Sequence, residues 1–108
     1  MEHINNGDEL LLFLEALSHP QRLRIISILS NGKQYVSQLA RELGISRSRL
    51  HLQKLEDANV VSSEMELLEL GQAVKYYMLN SFDLQLNDEL ISKLEPTLTL
   101  KKNKKMED

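Results

Sequence analysis

The sequence predicts a mainly α-helical fold that carries a small β-hairpin, and three observations predict it. Apolar residues recur at the three-to-four-residue spacing of amphipathic helices as far as Ala58. The period then changes to two between Val60 and Leu79, as in paired strands. The 108 residues are 42% apolar, which is ordinary for a folded protein and enough for one modest core. We therefore expect one globular domain.

Composition excludes several classes of protein. The chain has no cysteine, which excludes disulfides and thiolate metal sites. No apolar run approaches the roughly 20 residues that span a bilayer. Glu2 and Asp8 stand where a signal peptide would be basic and then apolar. We find neither a glycine-rich phosphate loop nor a nucleophile–base pair at a suggestive spacing. We expect a cytoplasmic protein that is not an enzyme, needs no cofactor and enters no membrane.

The first predicted helix follows Asp8, a suitable cap, and runs through ELLLFLEALS. Its apolar residues cover most of the circumference, whereas a surface helix of a small monomer shows one apolar stripe. A dimer partner is the economical explanation, because two-fold homo-oligomers are common. The alternative is a central core helix within a monomer. The residues of this helix expected at a dimer interface are Leu10, Leu11, Phe13, Leu14 and Leu17.

The next two helices are marked by their caps. Pro20 suits the first position of the second helix, with Ser18 or His19 as the cap. Arg22 falls on the side of that helix that we expect to face solvent. A connector over residues 33–36, with room for one extended pair, leads to a third helix that Ser37 is placed to cap.

A tight corner at Leu43-Gly44-Ile45 joins the third helix to a fourth, expected over residues 46–58. Gly44 can take a positive φ without steric cost, and Ser46 can cap the next helix. The net charge of −3 does not oppose DNA binding, because the local field on the binding face decides. Cations cluster after this corner, and arginine contacts guanine in the major groove. The candidate DNA contacts are Gln38, Arg41, Ser46, Arg47, Ser48, Arg49, His51, Gln53 and Lys54.

The alternative to DNA binding is that these cations are simply solvated charges on a surface helix. Their position directly after a Gly-x-Ser corner and beside a hairpin favours DNA. The hairpin is predicted over residues 60–80, where Gln72 and Lys75 are candidates to reach the flanking minor groove or a phosphate. Tyr76 and Tyr77 alternate, so one of them faces inward and belongs to the core. The acids that border the hairpin and would repel phosphate are Glu64, Glu66 and Glu69.

A last helix is predicted over residues 89–94, with Asn87 or Asp88 as its cap and an end before Pro96. We place the folded domain at residues 1–96 and a basic, disordered tail at residues 97–108. Lysine runs at a C-terminus are usually solvated. This one could equally add salt-sensitive DNA affinity or rest on an anionic membrane. The dimer-interface residues expected on the last helix are Leu90, Ile91 and Leu94.

Helices, a hairpin and a final helix in this order follow the winged helix-turn-helix plan. LSHPQRLRIISIL resembles the signature that opens ArsR-type transcriptional regulators. VSQLARELGIS with LQKLEDANVV resembles their helix-turn-helix, and GQAVKYYML resembles their wing. The resemblance covers roughly residues 10–79. It implies a homodimer, built on the first and last helices, that binds double-stranded DNA at a palindromic operator as a repressor.

The sequence departs from the family pattern in two ways. Many members sense metals through Cys or His before the recognition helix, or through Asp and His in the last helix. YVSQLARE and NDELISKLEP, the matching segments, contain neither Cys nor His, so we expect no metal site there. In related proteins the cap serine is followed by apolar residues about 4, 8 and 11 positions on, whereas Ser46 is followed there by Leu50, Lys54 and Asp57. Leu52, Leu55 and Ala58 do form one helical stripe, but it leaves Leu50 on another face. Either the helix is shortened by about half a turn, or Ile45 or Ser48 takes the missing core position.

The sequence leaves one alternative function of another class open. A winged-helix module can bind protein instead of DNA with the same fold. The basic stretch after Ser46 favours DNA, whereas the acid-rich hairpin favours the protein-binding alternative. The effector, if one exists, is unknown.

Overall fold

The computed structural model describes residues 4–99 of the chain. Five α-helices and a small antiparallel sheet make up the fold, so the expected mainly α architecture with a hairpin is confirmed. The elements in chain order are α1 (Gly7–Leu17), α2 (Pro20–Leu29), β1 (Gln34–Tyr35), α3 (Val36–Leu43), a 3₁₀ turn (Arg47–Arg49), α4 (Leu52–Asp57), β2 (Val61–Leu67), β3 (Ala73–Leu79), α5 (Asp88–Leu94) and a second 3₁₀ turn (Glu95–Thr97).

The cap of α1 is not the residue predicted, whereas the cap of α2 is one of the two residues predicted. Asn6, not Asp8, caps α1, because its side-chain oxygen accepts from the backbone N–H of Glu9 at 2.9 Å. His19 caps α2 as expected. Its Nδ1 accepts from the backbone N–H of Gln21 at 3.1 Å. Each cap satisfies a backbone donor that the first helical turn leaves without a partner.

Arg22 does not face solvent, contrary to the prediction. Its side chain is 7% exposed, and its Nε donates to the carbonyl of Ala16 at 2.8 Å. Its Nη2 donates to the carbonyl of Glu15 at 3.1 Å. The last carbonyls of a helix lack partners and carry the negative end of its dipole, and α1 has no basic residue of its own in its last turn. Arg22 therefore fixes the angle between α1 and α2.

α3 begins after a cap at Tyr35 and ends at a left-handed glycine, Gly44. Ser37 is not its cap. Tyr35 occupies that position, and its backbone N–H donates to the side-chain oxygen of Gln38 at 2.8 Å. Gly44 ends the helix with φ 68° and ψ 31°, the left-handed conformation predicted for the corner. The chain can therefore turn sharply toward the segment that follows.

The sheet is three-stranded and antiparallel in the order β1-β3-β2. β2 and β3 form the predicted hairpin, in register from Val61 opposite Leu79 to Leu67 opposite Ala73. β1 supplies the expected extended pair, and Tyr35 lies opposite Tyr76. We call the β2–β3 hairpin, residues 61–79, the wing.

The core lies between the helices and the inner face of the sheet. Tyr77 is the inward tyrosine of the pair at 4% exposure, and Tyr76 lies on the opposite face of β3. Burying one large aliphatic side chain stabilises a fold by about 1.5–3 kcal/mol. The fully buried side chains are Ile25, Leu39, Leu50, Leu55 and Val60.

The two ends of the described chain meet at the start of α1. The backbone N–H of Gly7 donates to Thr97 Oγ1 at 2.7 Å, and a Cβ at this position would lie 2.7 Å from Leu98 Cγ. The carboxylate of Asp8 accepts from Thr99, which lowers the pKa of Asp8. Ordered contacts thus extend to Thr99, beyond the domain boundary placed at residue 96. The lysines of the predicted tail lie outside the described residues. Within residues 4–99, no helix has the length and apolarity to cross a bilayer.

Candidate nucleic-acid interface

The helix expected over residues 46–58 is divided in two. Arg47–Arg49 forms a single 3₁₀ turn, and α4 begins only at Leu52 and is six residues long. Between them, His51 takes the left-handed conformation with φ 55° and ψ 40°. The prediction of one continuous helix is therefore wrong. We call residues 46–58 the recognition segment and Arg47–Arg49 the recognition turn.

The spacing of the leucines explains the break. Leu50 and Leu55 are fully buried and Leu52 is 9% exposed. Residues two apart in an α-helix point to nearly opposite sides, so Leu50 and Leu52 could not both reach the core from one helix. The left-handed residue between them turns the chain so that both are buried. Such a conformation costs a non-glycine residue about 1–2 kcal/mol, which the burial of two leucines offsets.

This outcome resolves the two alternatives for the missing core position. The helix is shortened, and Leu50 is buried together with Leu52 and Leu55. Ile45 is only partly buried, and Ser48 is exposed. Ser46 precedes the recognition turn without capping it through its side chain, whose Oγ lies 3.3 Å from Ser48 Oγ.

The cations of this region are exposed and unpaired. Arg41 on α3, Arg47 and Arg49 on the recognition turn, and Lys54 on α4 all face solvent. None of their side chains forms a hydrogen bond or ion pair with another residue of the described chain. A cation without an internal partner can bind phosphate or a base edge without first breaking an existing contact.

The polar side chains near these cations are partly engaged. Gln53 Nε2 donates to Asp57 Oδ1 at 2.8 Å, one helical turn further along α4. Gln38 is exposed but holds the start of α3, as described above. The ring of His51 lies 5.8 Å from that of His19, between centroids. His51 therefore contacts the start of α2 while its exposed side faces away from the core.

The acids on the outer face of the wing accept hydrogen bonds from tyrosines on the same face of the sheet. Tyr76 donates to Glu64 at 2.7 Å, and Tyr35 donates to Glu66 at 3.0 Å. These hydrogen bonds raise the pKa of both tyrosines. Lys33 Nζ lies 3.7 Å from Glu66 and 4.3 Å from the centroid of the Tyr76 ring. This cluster holds negative charge close to where a wing would approach DNA.

The inner face of the wing carries a second cluster that joins it to α4. The hydroxyl of Tyr77 donates to Glu56 Oε1 at 2.8 Å, and Ser63 Oγ lies 3.5 Å from Glu56 Oε2. Lys75 Nζ lies 5.3 Å from the centroid of the Tyr77 ring. Its interaction with Tyr77, and to a smaller extent the Glu56 carboxylate, raises the pKa of Lys75. Gln72 is exposed at the turn of the hairpin.

Glu56 was not among the residues expected at the site. Its carboxylate accepts hydrogen bonds that join the recognition segment to the wing. The available sequence signal was its place on α4 one position after the buried Leu55, on the side that leads into the hairpin.

The predicted dimer residues separate into two sets. Leu10, Phe13 and Leu94 are already buried in the single chain, where Phe13 packs edge-to-face on Phe82 with 5.1 Å between ring centroids. The others are partly or largely exposed. An apolar groove of about 190 Å³ runs between α1 and α5. The most exposed apolar side chains along it are Leu11 at 37%, Ile91 at 48% and Leu98 at 39%. Leu14 also lines the groove, whereas the remaining predicted residues, Leu17 and Leu90, do not.

No group of three or more His, Asp or Glu side chains lies together as metal ligands would within residues 4–99.

The helical corner at Gly44, the segment after it and the antiparallel hairpin define a winged helix-turn-helix protein. Residues 19–63 match the model of the bacterial regulatory protein family ArsR. An HTH-type transcriptional regulator of Methanocaldococcus jannaschii is 40% identical over 82 residues, which cover 74% of this chain and 85% of that protein. The chain belongs to the ArsR family of helix-turn-helix transcriptional regulators.

Solved structures agree with this assignment. NolR from Sinorhizobium fredii superposes with a TM-score of 0.58 and 31% identity, over 82% of this chain and 80% of that one. The transcriptional repressor BigR from Xylella fastidiosa gives a TM-score of 0.55 and 26% identity, over 68% of this chain and 72% of that one. The resemblance to ArsR-type regulators drawn from the sequence is confirmed.

Proposed function

We propose that this protein is a homodimeric repressor that binds a palindromic operator in double-stranded DNA through the recognition segment. The observation that carries the proposal is the set of exposed, unpaired cations on and around the recognition turn. The recognition segment faces the major groove, and the wing lies over the adjacent backbone. The repressor assignment draws support from BigR, whose description names it a transcriptional repressor.

Base reading is assigned to the recognition turn. Arg47 and Arg49 carry planar guanidinium groups that match guanine O6 and N7, and each such pair contributes about 1–3 kcal/mol of discrimination. Arg41 and Lys54 contact phosphates, which fix position and orientation without reading sequence. Gln53 is engaged with Asp57, so an adenine contact by Gln53 requires that hydrogen bond to open.

Dimerisation is assigned to the groove between α1 and α5. Leu11, Ile91 and Leu98 expose apolar surface on adjacent elements, and a two-fold partner would cover the same surface on both copies. Two recognition turns in one dimer would then contact half-sites about 34–36 Å apart along the duplex. A palindromic operator follows from that symmetry.

The DNA-binding part is tested by selecting fragments of the host genome on the purified protein and measuring anisotropy on the best fragment and on a scrambled one. We expect tighter binding to the selected fragment and a steep loss of affinity as salt rises, because each phosphate contact releases counterions. Equal affinity for both duplexes would contradict sequence-specific binding. No binding at low salt would contradict DNA binding altogether.

The dimer is tested by Leu11→Glu, with Leu23→Glu as the matched control. Both side chains are partly exposed on a helix, but only Leu11 lies in the groove between α1 and α5. We expect Leu11→Glu to convert the dimer to a folded monomer and Leu23→Glu to leave it unchanged. Light scattering measures the mass, and circular dichroism checks that the fold is retained. A Leu11→Glu protein that remains dimeric would exclude this interface.

A second candidate function is a winged-helix module that binds a protein partner. The observation that favours it is the tip of the wing, where large apolar side chains are exposed beside acids. Met65 is 62% exposed and Leu70 is 88% exposed. Retention on random duplex DNA at low salt separates the two functions, because a protein-binding module with this acidic wing would not be retained.

A further inference from the structure

A concave groove of about 540 Å³ lies between the start of α3, the recognition turn and the wing. Its walls are mainly apolar and include Val36, Met65, Leu68 and Val74. Arg47 and Lys75 also line it and supply two cations. We call this site the wing groove. Ligand pockets in proteins are commonly about 300–1,000 Å³ and mostly apolar, with a few polar groups that orient the ligand.

Strand pairing explains why the wing groove is open. β1 pairs with β3 only at Tyr76 and Tyr77, and the chain then leaves the sheet to form α3 at Val36. The edge of β3 from Ala73 to Lys75 therefore has no neighbouring strand on that side. Met65 and Leu68 stay exposed beside this edge because no other part of the described chain covers them.

The charges around the wing groove favour an anion. The guanidinium of Arg47 forms no hydrogen bond or ion pair with any other residue in the described part of the chain. Lys75 lies over the ring of Tyr77 and keeps its charge. The neighbouring acids have other partners. Glu56 accepts from Tyr77 and also interacts with Lys75, Glu64 accepts from Tyr76, and Glu66 contacts Tyr35 and Lys33. None of these three acids lines the groove.

We propose that the wing groove binds a small organic anion with an apolar body, of the aryl or medium-chain carboxylate class. The carboxylate lies between Arg47 and Lys75, and the apolar body packs on Met65, Leu68 and Val74. A DNA phosphate would match the cations but would leave the apolar walls uncovered. The inference rests on the proposed function in one respect. Because Arg47 is also assigned to DNA, the bound anion competes with the operator and acts as an effector that releases it.

The first test is titration with 1-naphthoate, followed by amide chemical shifts in two-dimensional NMR. We expect the shifts to concentrate at Val36, Ser37 and Val74 and the neutral analogue 1-naphthamide to bind at least tenfold more weakly. Shifts at Gly7 and Leu98 instead would place the ligand in the groove between α1 and α5. Either that result or equal binding of the neutral analogue would overturn the proposal.

The second test separates the ligand site from DNA binding. Met65→Gln puts a polar group of similar size in the apolar wall, and Leu70→Gln makes the same kind of change on the same hairpin outside the groove. We expect Met65→Gln to weaken naphthoate binding about tenfold, Leu70→Gln to leave it unchanged, and both variants to bind the operator as the native protein does. Equal losses in the two variants would show nonspecific apolar binding and overturn the site.

The third test measures operator affinity with and without 1-naphthoate. We expect the ligand to raise the apparent Kd at least fivefold for the native protein and to have little effect on Met65→Gln. Naphthoate binding in the groove without any DNA binding would overturn the proposed function and leave the ligand site standing. DNA binding without naphthoate binding would overturn the ligand site alone. Binding of both without competition would overturn the effector role.

Discussion

The recognition turn and the wing differ in what their charged side chains contact. Arg47 and Arg49 on the turn have no partner among the described residues, whereas Glu64, Glu66 and Lys75 on the wing each contact a tyrosine. A free charge can bind DNA directly, but an engaged one must first give up its contact. The difference supports the proposal that the turn supplies the DNA affinity, while the wing mainly positions the turn and shapes the groove beside it.

One carboxylate accepts hydrogen bonds that join the two regions, beside the apolar core that they share. Glu56 on α4 accepts from the hydroxyl of Tyr77 on β3 and lies near Ser63 on β2. The wing is therefore attached to the helix that follows the recognition turn, not to the turn itself. The following four experiments test this division of roles, from the largest expected effect to the smallest.

Leu50→Ala tests whether the recognition turn is held by the core. Leu50 is fully buried, and such truncations typically cost 2–5 kcal/mol, so we expect a loss of about 2–4 kcal/mol in the free energy of unfolding. Urea denaturation measures it, with the exposed Leu70→Ala on the wing as control, for which we expect a change within about 0.5 kcal/mol. Equal effects of the two variants would mean that the turn is not anchored through Leu50.

Arg47→Ala and Arg49→Ala test the turn as the base-reading element. We expect each to weaken binding to the selected operator by about 1–3 kcal/mol, which is roughly 5- to 150-fold in Kd. Binding to a scrambled duplex should fall much less. Arg24→Ala, which removes an exposed arginine on α2, serves as the control. Equal losses on both duplexes would show that these arginines contact only phosphates.

Tyr77→Phe tests the attachment of the wing to α4. Removing the hydroxyl deletes its hydrogen bond to Glu56, and we expect a loss of about 1 kcal/mol in the free energy of unfolding, typical for one such bond. Tyr76→Phe removes an equivalent hydroxyl on the solvent-facing side of the wing and should leave the stability unchanged within error. If the two variants are equally stable, the Glu56 contact does not hold the wing.

Glu64→Gln tests whether the acids of the wing oppose DNA. The substitution removes one negative charge while keeping an acceptor for Tyr76. We expect nonspecific DNA affinity to rise about twofold at low salt, with the gain lost at high salt because screening shortens the reach of the charge. Glu89→Gln on α5 is the control. A gain of the same size in both variants would reflect net charge alone.

Local patterns allowed most of the fold to be predicted from the sequence. Helical spacing placed the helices, the change to period two placed the hairpin, and Gly44 marked the corner. The burial of Arg22 and the break at His51 could not be predicted in this way, because they depend on contacts between different elements or on competition for the core. Arg22 is buried because the end of α1 lacks its own cation, which helical periodicity in α2 does not indicate.

The sequence indicated an irregularity in the recognition segment but not its position at His51. Leu50 and Leu52 are two residues apart, which is incompatible with one helical stripe, and the family pattern already showed a missing position. Periodicity could not decide which backbone residue would adopt the unusual conformation. The charge clusters of the wing were equally inaccessible, because strand register decides which tyrosine meets which acid. The candidate DNA residues remain predictions.

Under the proposed docking, the short α4 limits how many base pairs lie beside the helix, while the recognition turn that precedes it carries the base-reading side chains. Six helical residues extend about 9 Å along the helix axis, at 1.5 Å per residue. One base pair occupies about 3.4 Å, so a helix of this length runs past fewer than three of them. Each operator half-site should therefore have a compact block of sequence-sensitive positions. Sequence-tolerant positions that contribute through backbone contact and duplex flexibility would flank it.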